Sequence, residues 1–120
     1  MTERDRDITA LLPLPTATFH ILMAVASEER HGYAIIQDVL ARTGGALRLS
    51  AGTLYRSIQR MIEQGLLVES RRRPAAARDD ERRRYYRITP FGEDVARAEA
   101  QRLSLLVRLA RASGFVTGKA

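Results

Sequence analysis

The sequence predicts a mainly α-helical protein with a small β-hairpin and a long C-terminal helix. Apolar residues recur at spacings of three and four in four segments, which is typical of amphipathic helices. Two short segments, 66–70 and 84–88, are rich in branched or aromatic residues and flank a charged stretch, as the strands of a hairpin do. The last periodic segment begins at Thr89-Pro90 and runs for roughly 23 residues, about 35 Å of helix.

Two helices are predicted before the middle of the chain. Pro15 fits a first helical turn, because the N–H that proline lacks has no partner there. A second helix is expected to begin near Gly32 and to end at the glycine pair 44–45, where glycine accepts a left-handed cap. Residues 47–49 alternate between apolar and polar, which predicts a short strand.

The third helix is expected from about residue 51 to 64, with Ser50 as its N-cap and Gly65 at its end. Its apolar residues share one face, and they are Leu54, Ile58, Met61 and Ile62. The opposite face carries polar and basic side chains. One side of such a helix can pack in a core, and the other side can contact a partner.

The predicted order is helix, helix, short strand, helix, strand, strand, long helix. Three helices followed by a hairpin form a winged helix-turn-helix, whose third helix enters the major groove of DNA. We therefore expect a flexible N-terminal arm over 1–10, a winged-helix DNA-binding domain over 11–89, a C-terminal dimerisation helix over 90–114 and a flexible tail over 115–120.

Composition favours an anionic partner and argues against catalysis. The chain of 120 residues has a formal net charge of +6, and Lys119 is its only lysine among 20 Lys+Arg. The planar fork of arginine matches phosphates and guanine edges. There is no cysteine, and the two histidines lie on separate predicted elements, so we expect no enzyme, metal site or cofactor. No run approaches the roughly 18 apolar residues of a membrane span, which predicts a cytoplasmic protein without a membrane partner.

The exposed face of the third helix is the first candidate for contact with double-stranded DNA. Arginine can fork onto guanine and glutamine onto adenine, while small and hydroxyl residues near a helix N-terminus can approach a phosphate. Tyr55 lies at the edge of this face and is assigned partly to the core. An ordinary solvated helix face is the alternative. The candidates are Gly52, Thr53, Tyr55, Arg56, Gln59 and Arg60.

The tip of the predicted hairpin is the second candidate. Residues 71–84 contain seven arginines against three acidic residues, a density that favours release of counterions from phosphates. The expected contacts with the DNA backbone are Arg73, Arg82, Arg83 and Arg84. A solvated loop, or an arginine paired with a carboxylate of the hairpin, is the alternative. In the strand that follows, Tyr85 and Tyr86 should point to opposite faces, one buried and one exposed.

The last helix is apolar over a wide arc, and a chain of this size offers little surface to cover it. A second copy of the chain is the economical cover, because identical patches can bury each other. The residues expected in this dimer interface are Val95, Leu103, Leu106 and Leu109. Packing against the first helix of the same chain is the alternative.

Three blocks of the sequence resemble the PadR family of regulators. They are 31–35 (HGYAI), 50–67 (SAGTLYRSIQRMIEQGLL) and 84–92 (RYYRITPFG), and the resemblance extends over about residues 10–112. It implies a winged helix with a DNA-binding wing and a dimer built by the C-terminal helices, in the compact form with one such helix. In many members it also implies a small-molecule effector.

The sequence thus predicts a homodimeric, sequence-specific DNA-binding transcriptional regulator, a repressor released by a small-molecule effector. Two other classes fit the same fold. One is a winged-helix module that binds proteins, and the other binds RNA or an anionic surface through its arginines. The arginines on the third helix favour the DNA-binding regulator over these two alternatives, because that helix fits the major groove of a duplex.

Overall fold

The computed structural model describes residues 2–70 and 84–117, and over these ranges the chain is mainly helical with one small sheet. This confirms the predicted fold class. The elements, in chain order, are α1 (Glu3–Leu11), α2 (Thr16–Ala24), β1 (Arg30–His31), α3 (Gly32–Arg42), α4 (Ala51–Glu63), β2 (Leu67–Ser70), β3 (Tyr85–Ile88) and α5 (Pro90–Ala112).

Helix α2 lies at the centre of the core. Ile21, Leu22 and Ala24 are fully buried, and α2 contacts α3, α4 and α5. The helix is apolar on most sides, as expected of a helix that neighbours surround. The other helices are therefore arranged around α2, and α4 leaves one face on the outside.

The sheet has three antiparallel strands in the order β1-β3-β2. Arg30 pairs with Tyr86, and Leu67 pairs with Ile88. The expectation that only one of Tyr85 and Tyr86 is buried is wrong, because they are 9% and 4% exposed. The reason is that Tyr86 joins the core, while β1 places His31 beside Tyr85 as its cross-strand partner, and the two rings pack edge-on at 5.3 Å.

The short strand predicted at 47–49 is also wrong. These residues form no strand, and the third strand is β1, which comes before α3. The Leu47 N–H donates to the hydroxyl of Thr43 at 3.0 Å, and Leu49 is buried in the core. The alternation therefore reflects a turn with one core residue between the two helices of the helix-turn-helix.

The flexible arm expected over 1–10 is replaced by helix α1. Thr2 and Asp5 form a reciprocal capping box, and Ile8 and Leu11 are half-buried against the core. Arg4 donates to Asp94 of α5 at 2.9 Å and lies 5.5 Å from the ring centre of Phe91. No single helix in the described ranges is long and apolar enough to cross a membrane, and α1 with α2 meets that test only as a pair bent by 115°.

Thr89 connects the end of α4 to the start of α5. It caps α5 by accepting the Gly92 N–H at 2.9 Å, and its hydroxyl donates to the Gly65 carbonyl at 2.5 Å. Its own N–H donates to the Leu66 carbonyl at 3.1 Å. Gly92 permits this contact, since a Cβ there would collide with the Leu66 carbonyl oxygen.

Candidate nucleic-acid interface

Helix α4 is formed by local signals at both ends. The Ser50 hydroxyl accepts the Thr53 N–H at 3.1 Å, which satisfies one of the free donors of the first turn. Gly65 adopts a positive φ of 79°, and the Leu66 N–H closes the last turn by donating to the Met61 carbonyl at 2.8 Å. The predicted boundaries are therefore correct to within one residue.

The two faces of α4 differ as the sequence predicts. Leu54, Ile58 and Met61 are buried in the core. At about 100° per residue, the six predicted DNA contacts occupy the opposite arc. All six lie at the surface, with Thr53 half-buried because its hydroxyl accepts a hydrogen bond from Ser50. The arrangement leaves a continuous basic and polar face on one helix.

The arginines of this face are unpaired within the described ranges. The guanidinium of Arg56 folds back over Gly52, where a Cβ would lie 3.2 Å from its Nη1 atom. In residues 2–70 and 84–117, no carboxylate lies within ion-pair distance of Arg56 or Arg60. Within that part of the chain, no acidic neighbour neutralises either charge.

Tyr55 reaches from α4 to the first turn of α3. Its ring lies against Gly32, and a Cβ at Gly32 would collide with the phenolic oxygen. Half of the Tyr55 side chain remains exposed. The mixed role expected for this residue fits its position, and Gly32 is a supporting residue that the sequence analysis did not assign to the site.

The wing contributes one described arginine. Arg84 is exposed, and its Nε atom lies 3.8 Å from a carboxylate oxygen of Glu69 on β2. The other predicted contacts, Arg73, Arg82 and Arg83, lie outside the described residues. The pairing of Arg84 with a hairpin carboxylate is the alternative that the sequence analysis left open for this stretch.

Tyr86 lies beneath the site and was not predicted as part of it. Burial raises the pKa of its phenol above the usual 10.0, the neighbouring Tyr55 and Glu69 raise the pKa further, and Arg84 lowers it. The phenol is thus close to groups from α4 and from both strands of the wing. Its place in the sequence, two residues after the last arginine of the run, was the available signal.

The last helix has a buried half and an exposed half. The assignment of Val95 to a dimer interface is wrong, because it is 0% exposed and belongs to the core of its own chain. By contrast, Leu103, Leu106 and Leu109 are 36%, 48% and 54% exposed. Nothing in the described part of the chain covers these three leucines.

Comparison with known proteins agrees with this geometry. The model of the PadR-like family of transcriptional regulators matches residues 21–98, which include the three strands, α3, α4 and the start of α5. The chain belongs to the PadR-like family. As a transcriptional regulator of this family, it is not an enzyme, in agreement with the sequence analysis.

Individual relatives support the same assignment. The PadR-like chain is 38% identical over 89 residues to the transcriptional regulator Rv3488 of Mycobacterium tuberculosis, and the match covers 74% of this chain and 77% of that protein. A transcriptional regulator from Clostridium thermocellum has a similar fold, with a TM-score of 0.69, 20% identity and coverage of 98% and 99% of the two chains. A PadR family regulator from Clostridium difficile gives a TM-score of 0.65 at 21% identity, covering 82% and 97%.

Proposed function

We propose that this PadR-like chain is a homodimeric repressor that reads the sequence of a DNA duplex with α4. The observation that carries the proposal is the exposed face of α4, where Arg56 and Arg60 lie opposite the buried Leu54 and form no ion pair with any carboxylate of residues 2–70 and 84–117. A winged helix places this helix in the major groove, where each base pair presents a distinct pattern of donors and acceptors.

The residues of α4 divide into base and backbone contacts. Arg56, Gln59 and Arg60 have the length and the donors to reach base edges. Gly52, Thr53 and Tyr55 lie nearer the helix N-terminus and α3, where contacts with phosphates set the position of the helix. Among the described wing residues, Arg84 is the candidate for a phosphate of the adjoining backbone.

A second copy of the chain is the proposed cover for the exposed half of α5. Leu103, Leu106 and Leu109 recur at a spacing of three on one side of the helix, and their exposure supports an interface in which two such helices pack together. A two-fold arrangement buries the same patch on both copies. It also presents two α4 helices, which must meet grooves about 34 Å apart.

The proposed repressor responds to a small molecule that changes the distance between the two α4 helices of the dimer. An effector lowers duplex affinity only if it binds one dimer geometry better than the other. A concavity of about 190 Å³ lies between α2, β3 and α5, lined in part by Met23, Ile88 and Ala96. An enclosed cavity of roughly 150 Å³ holds benzene, so this open concavity is large enough to receive a ligand with a single ring.

The function is tested by selecting bound sequences from a random duplex library and measuring affinity for the selected duplex by fluorescence anisotropy. Arg56→Ala and Arg60→Ala should each weaken binding by about 1–3 kcal/mol and relax the preference for the selected sequence. Arg97→Ala is the matched control, because it removes an exposed arginine of α5 and the same charge. Equal effects of all three changes would contradict base reading by α4.

The other partner classes are arms of the same experiment. Single-stranded RNA of the selected sequence and vesicles with anionic lipids are titrated at several salt concentrations beside the duplex. Preference for the selected duplex over both supports the proposal. Equal affinity for all polyanions would mean that charge alone is recognised, and no binding to any of them would favour a protein partner.

The dimer is tested by sedimentation velocity at micromolar concentration. The unchanged chain should sediment as a dimer, and Leu106→Glu should give a monomer because it places a charge in the apolar interface. Ser104→Glu is the control, since Ser104 is exposed on the opposite side of α5. A monomeric unchanged chain would refute the homodimer.

A further inference from the structure

One side of α5 changes its role along the helix. Gly92, Val95 and Glu99 are buried against the core of the same chain, and Leu106 and Leu109 continue that side after them but are exposed. The spacings alternate between three and four from residue 92 to residue 106, so the side is continuous. The change from covered to uncovered occurs at Glu99 and Arg102.

A carboxylate occupies this boundary. Glu99 is only 2% exposed, and its Oε1 and Oε2 atoms accept from the Nε and Nη2 atoms of Arg102 at 2.6 and 3.1 Å. Oε2 also accepts the backbone N–H of Leu14 at 3.1 Å. Glu99 therefore connects α5 to the segment between α1 and α2 through the Leu14 N–H. Arg102 holds the same carboxylate from within α5.

The charge state of Glu99 is set by the same contacts. The hydrogen bond from Arg102 lowers the pKa of the Glu99 carboxyl below its usual value, the Leu14 N–H lowers it further, and burial opposes both. The group is thus ionised at neutral pH. The Arg102 side chain is 33% exposed, and an ion pair that solvent reaches contributes little to stability, so stability alone does not account for the presence of this pair.

We propose that Glu99, which Arg102 orients from the same helix and which accepts the Leu14 N–H, is a positioning residue that fixes the direction in which α5 leaves the winged-helix domain. It thereby sets the distance between the two α4 helices of the dimer. This inference rests on the proposed homodimeric, DNA-binding function. Thr89 and Asp94 hold the first turns of α5, and Glu99 adds a tie further along the helix: Arg102 orients its carboxylate, and the Leu14 N–H holds that carboxylate against the segment between α1 and α2.

The length of α5 makes this direction important. Leu109 lies ten residues beyond Glu99, about 15 Å along the helix. A tilt of about 10° at Glu99 would move Leu109 by roughly 2.5 Å over that length. Because the partner copy packs on that part of α5, the displacement changes the relative position of both winged-helix domains.

The experiment measures geometry, dimerisation and DNA affinity separately. The chain has no cysteine, so Glu63→Cys at the end of α4 gives one spin-label site per copy, and pulsed electron resonance reports the distance between the two labels. Glu99→Gln and the double variant Glu99→Met with Arg102→Leu are compared with the unchanged background. The double variant guards against simple loss of folding, because it replaces the ion pair with apolar residues.

Glu93→Gln is the matched control. Glu93 lies on the same helix in an exposed ion pair with Arg97 at 3.5 Å, and its neutralisation raises the net charge from +6 to +7, as Glu99→Gln does. Extra positive charge by itself would strengthen binding to DNA. A weaker affinity of Glu99→Gln would therefore have the opposite sign from its charge effect.

If Glu99 positions α5, the distance between the two spin labels should be shifted and more broadly distributed in both Glu99 variants than in the unchanged background. Duplex affinity should fall about tenfold, while sedimentation still gives a dimer. If both variants dimerise and match Glu93→Gln in label distance and affinity, the inference is overturned and the proposed function stands. If the unchanged chain neither dimerises nor binds a duplex, the proposed function fails, and the inference fails with it.

Discussion

The phenolic oxygen of Tyr55 occupies the space that a Cβ at Gly32 would need. Tyr55 belongs to α4 and Gly32 begins α3, so the two helices of the helix-turn-helix meet through an aromatic ring on bare backbone. A Cβ at Gly32 would also lie 2.9 Å from the Cζ atom of the ring. The position of α4 relative to α3 thus depends on the absence of one side chain.

Replacing Gly32 with alanine should therefore displace Tyr55. We expect Gly32→Ala to lower the free energy of unfolding by about 1–3 kcal/mol, measured by urea denaturation, because the added methyl group overpacks the contact. Duplex affinity should fall with it, since the ring lies beside the proposed DNA contacts of α4.

A double-mutant cycle checks this interpretation. With Tyr55→Ala the obstructing ring is gone, so Gly32→Ala should cost less in that background, and a coupling of about 0.5–3 kcal/mol is expected for residues in contact. Additive effects would show that Gly32 is required for another reason.

A second steric prediction concerns Gly92, where an added side chain would meet the backbone of a neighbouring segment. A Cβ there would collide with the Leu66 carbonyl oxygen and lie 2.9 Å from the Cγ1 atom of Ile88. Gly92→Ala should cost at least about 1–3 kcal/mol of unfolding free energy, because neither neighbour is the free end of a flexible side chain.

Gly52→Ala is the control for this prediction. The nearest atom to a Cβ at Gly52 is the Nη1 of the exposed Arg56, which can move away. Alanine also favours helix over glycine by up to about 1 kcal/mol. Gly52→Ala should leave stability unchanged or higher, and a loss equal to that of Gly92→Ala would contradict the steric argument.

The sequence predicts α4 well because its signals are local. Ser50, Gly65 and the apolar stripe that includes Leu54 and Ile58 all lie within one short segment, and each acts on its immediate neighbours. Burying that stripe leaves the arginine face outside without further information. For this reason the side of α4 that faces outward was predictable before the fold was known.

Strand β1 is different, because its signal is not local. Arg30 and His31 form a strand only by pairing with Tyr86 and Tyr85, which lie far along the chain. A two-residue strand leaves no periodicity to detect. Once β1 is present, its His31 side chain packs against Tyr85, and the expectation that one of the two tyrosines is exposed no longer holds.

Val95 and α1 show two further limits of prediction from the sequence. Periodicity identifies the apolar side of α5, but it does not say where the cover of that side ends, so Val95 was assigned to the wrong partner. For α1, local signals existed in Thr2, Asp5 and the spacing of Ile8 and Leu11. The density of charge there favoured a disordered interpretation over these signals.

Tyr86 predicts how stability depends on alkaline pH. Burial raises the pKa of its phenol in the folded chain above the usual 10.0. The neutral phenol is therefore favoured by folding: its contribution is complete below the unfolded pKa and is lost as the pH rises through the folded one.

Urea midpoints measured from pH 8 to about 11 should fall more steeply for the unchanged chain than for Tyr86→Phe, which cannot ionise. The difference between the two chains isolates this group from others that titrate in the same range. Parallel curves would mean that Tyr86 is not responsible for the alkaline loss of stability.

Removing the charge of Glu69 is expected to increase the affinity for DNA. Its carboxylate lies 3.8 Å from the Nε atom of Arg84, both groups being exposed. Glu69→Gln should free Arg84 and, if that arginine reaches a phosphate, steepen the slope of log affinity against log salt by about 0.9. Anisotropy titrations at several salt concentrations measure the slope, and Glu93→Gln again supplies the same change in net charge. Identical slopes for the two variants would remove Arg84 from the interface.

Thr89 has a consequence for how the domain transmits motion. One side chain caps α5 and holds the carbonyl of Gly65, two residues after the end of α4. A rotation of α5 about its first turn would therefore act on the last turn of α4 through a single residue. A change in the orientation of α5 would thus reach α4 directly through these hydrogen bonds, and not only along the intervening chain.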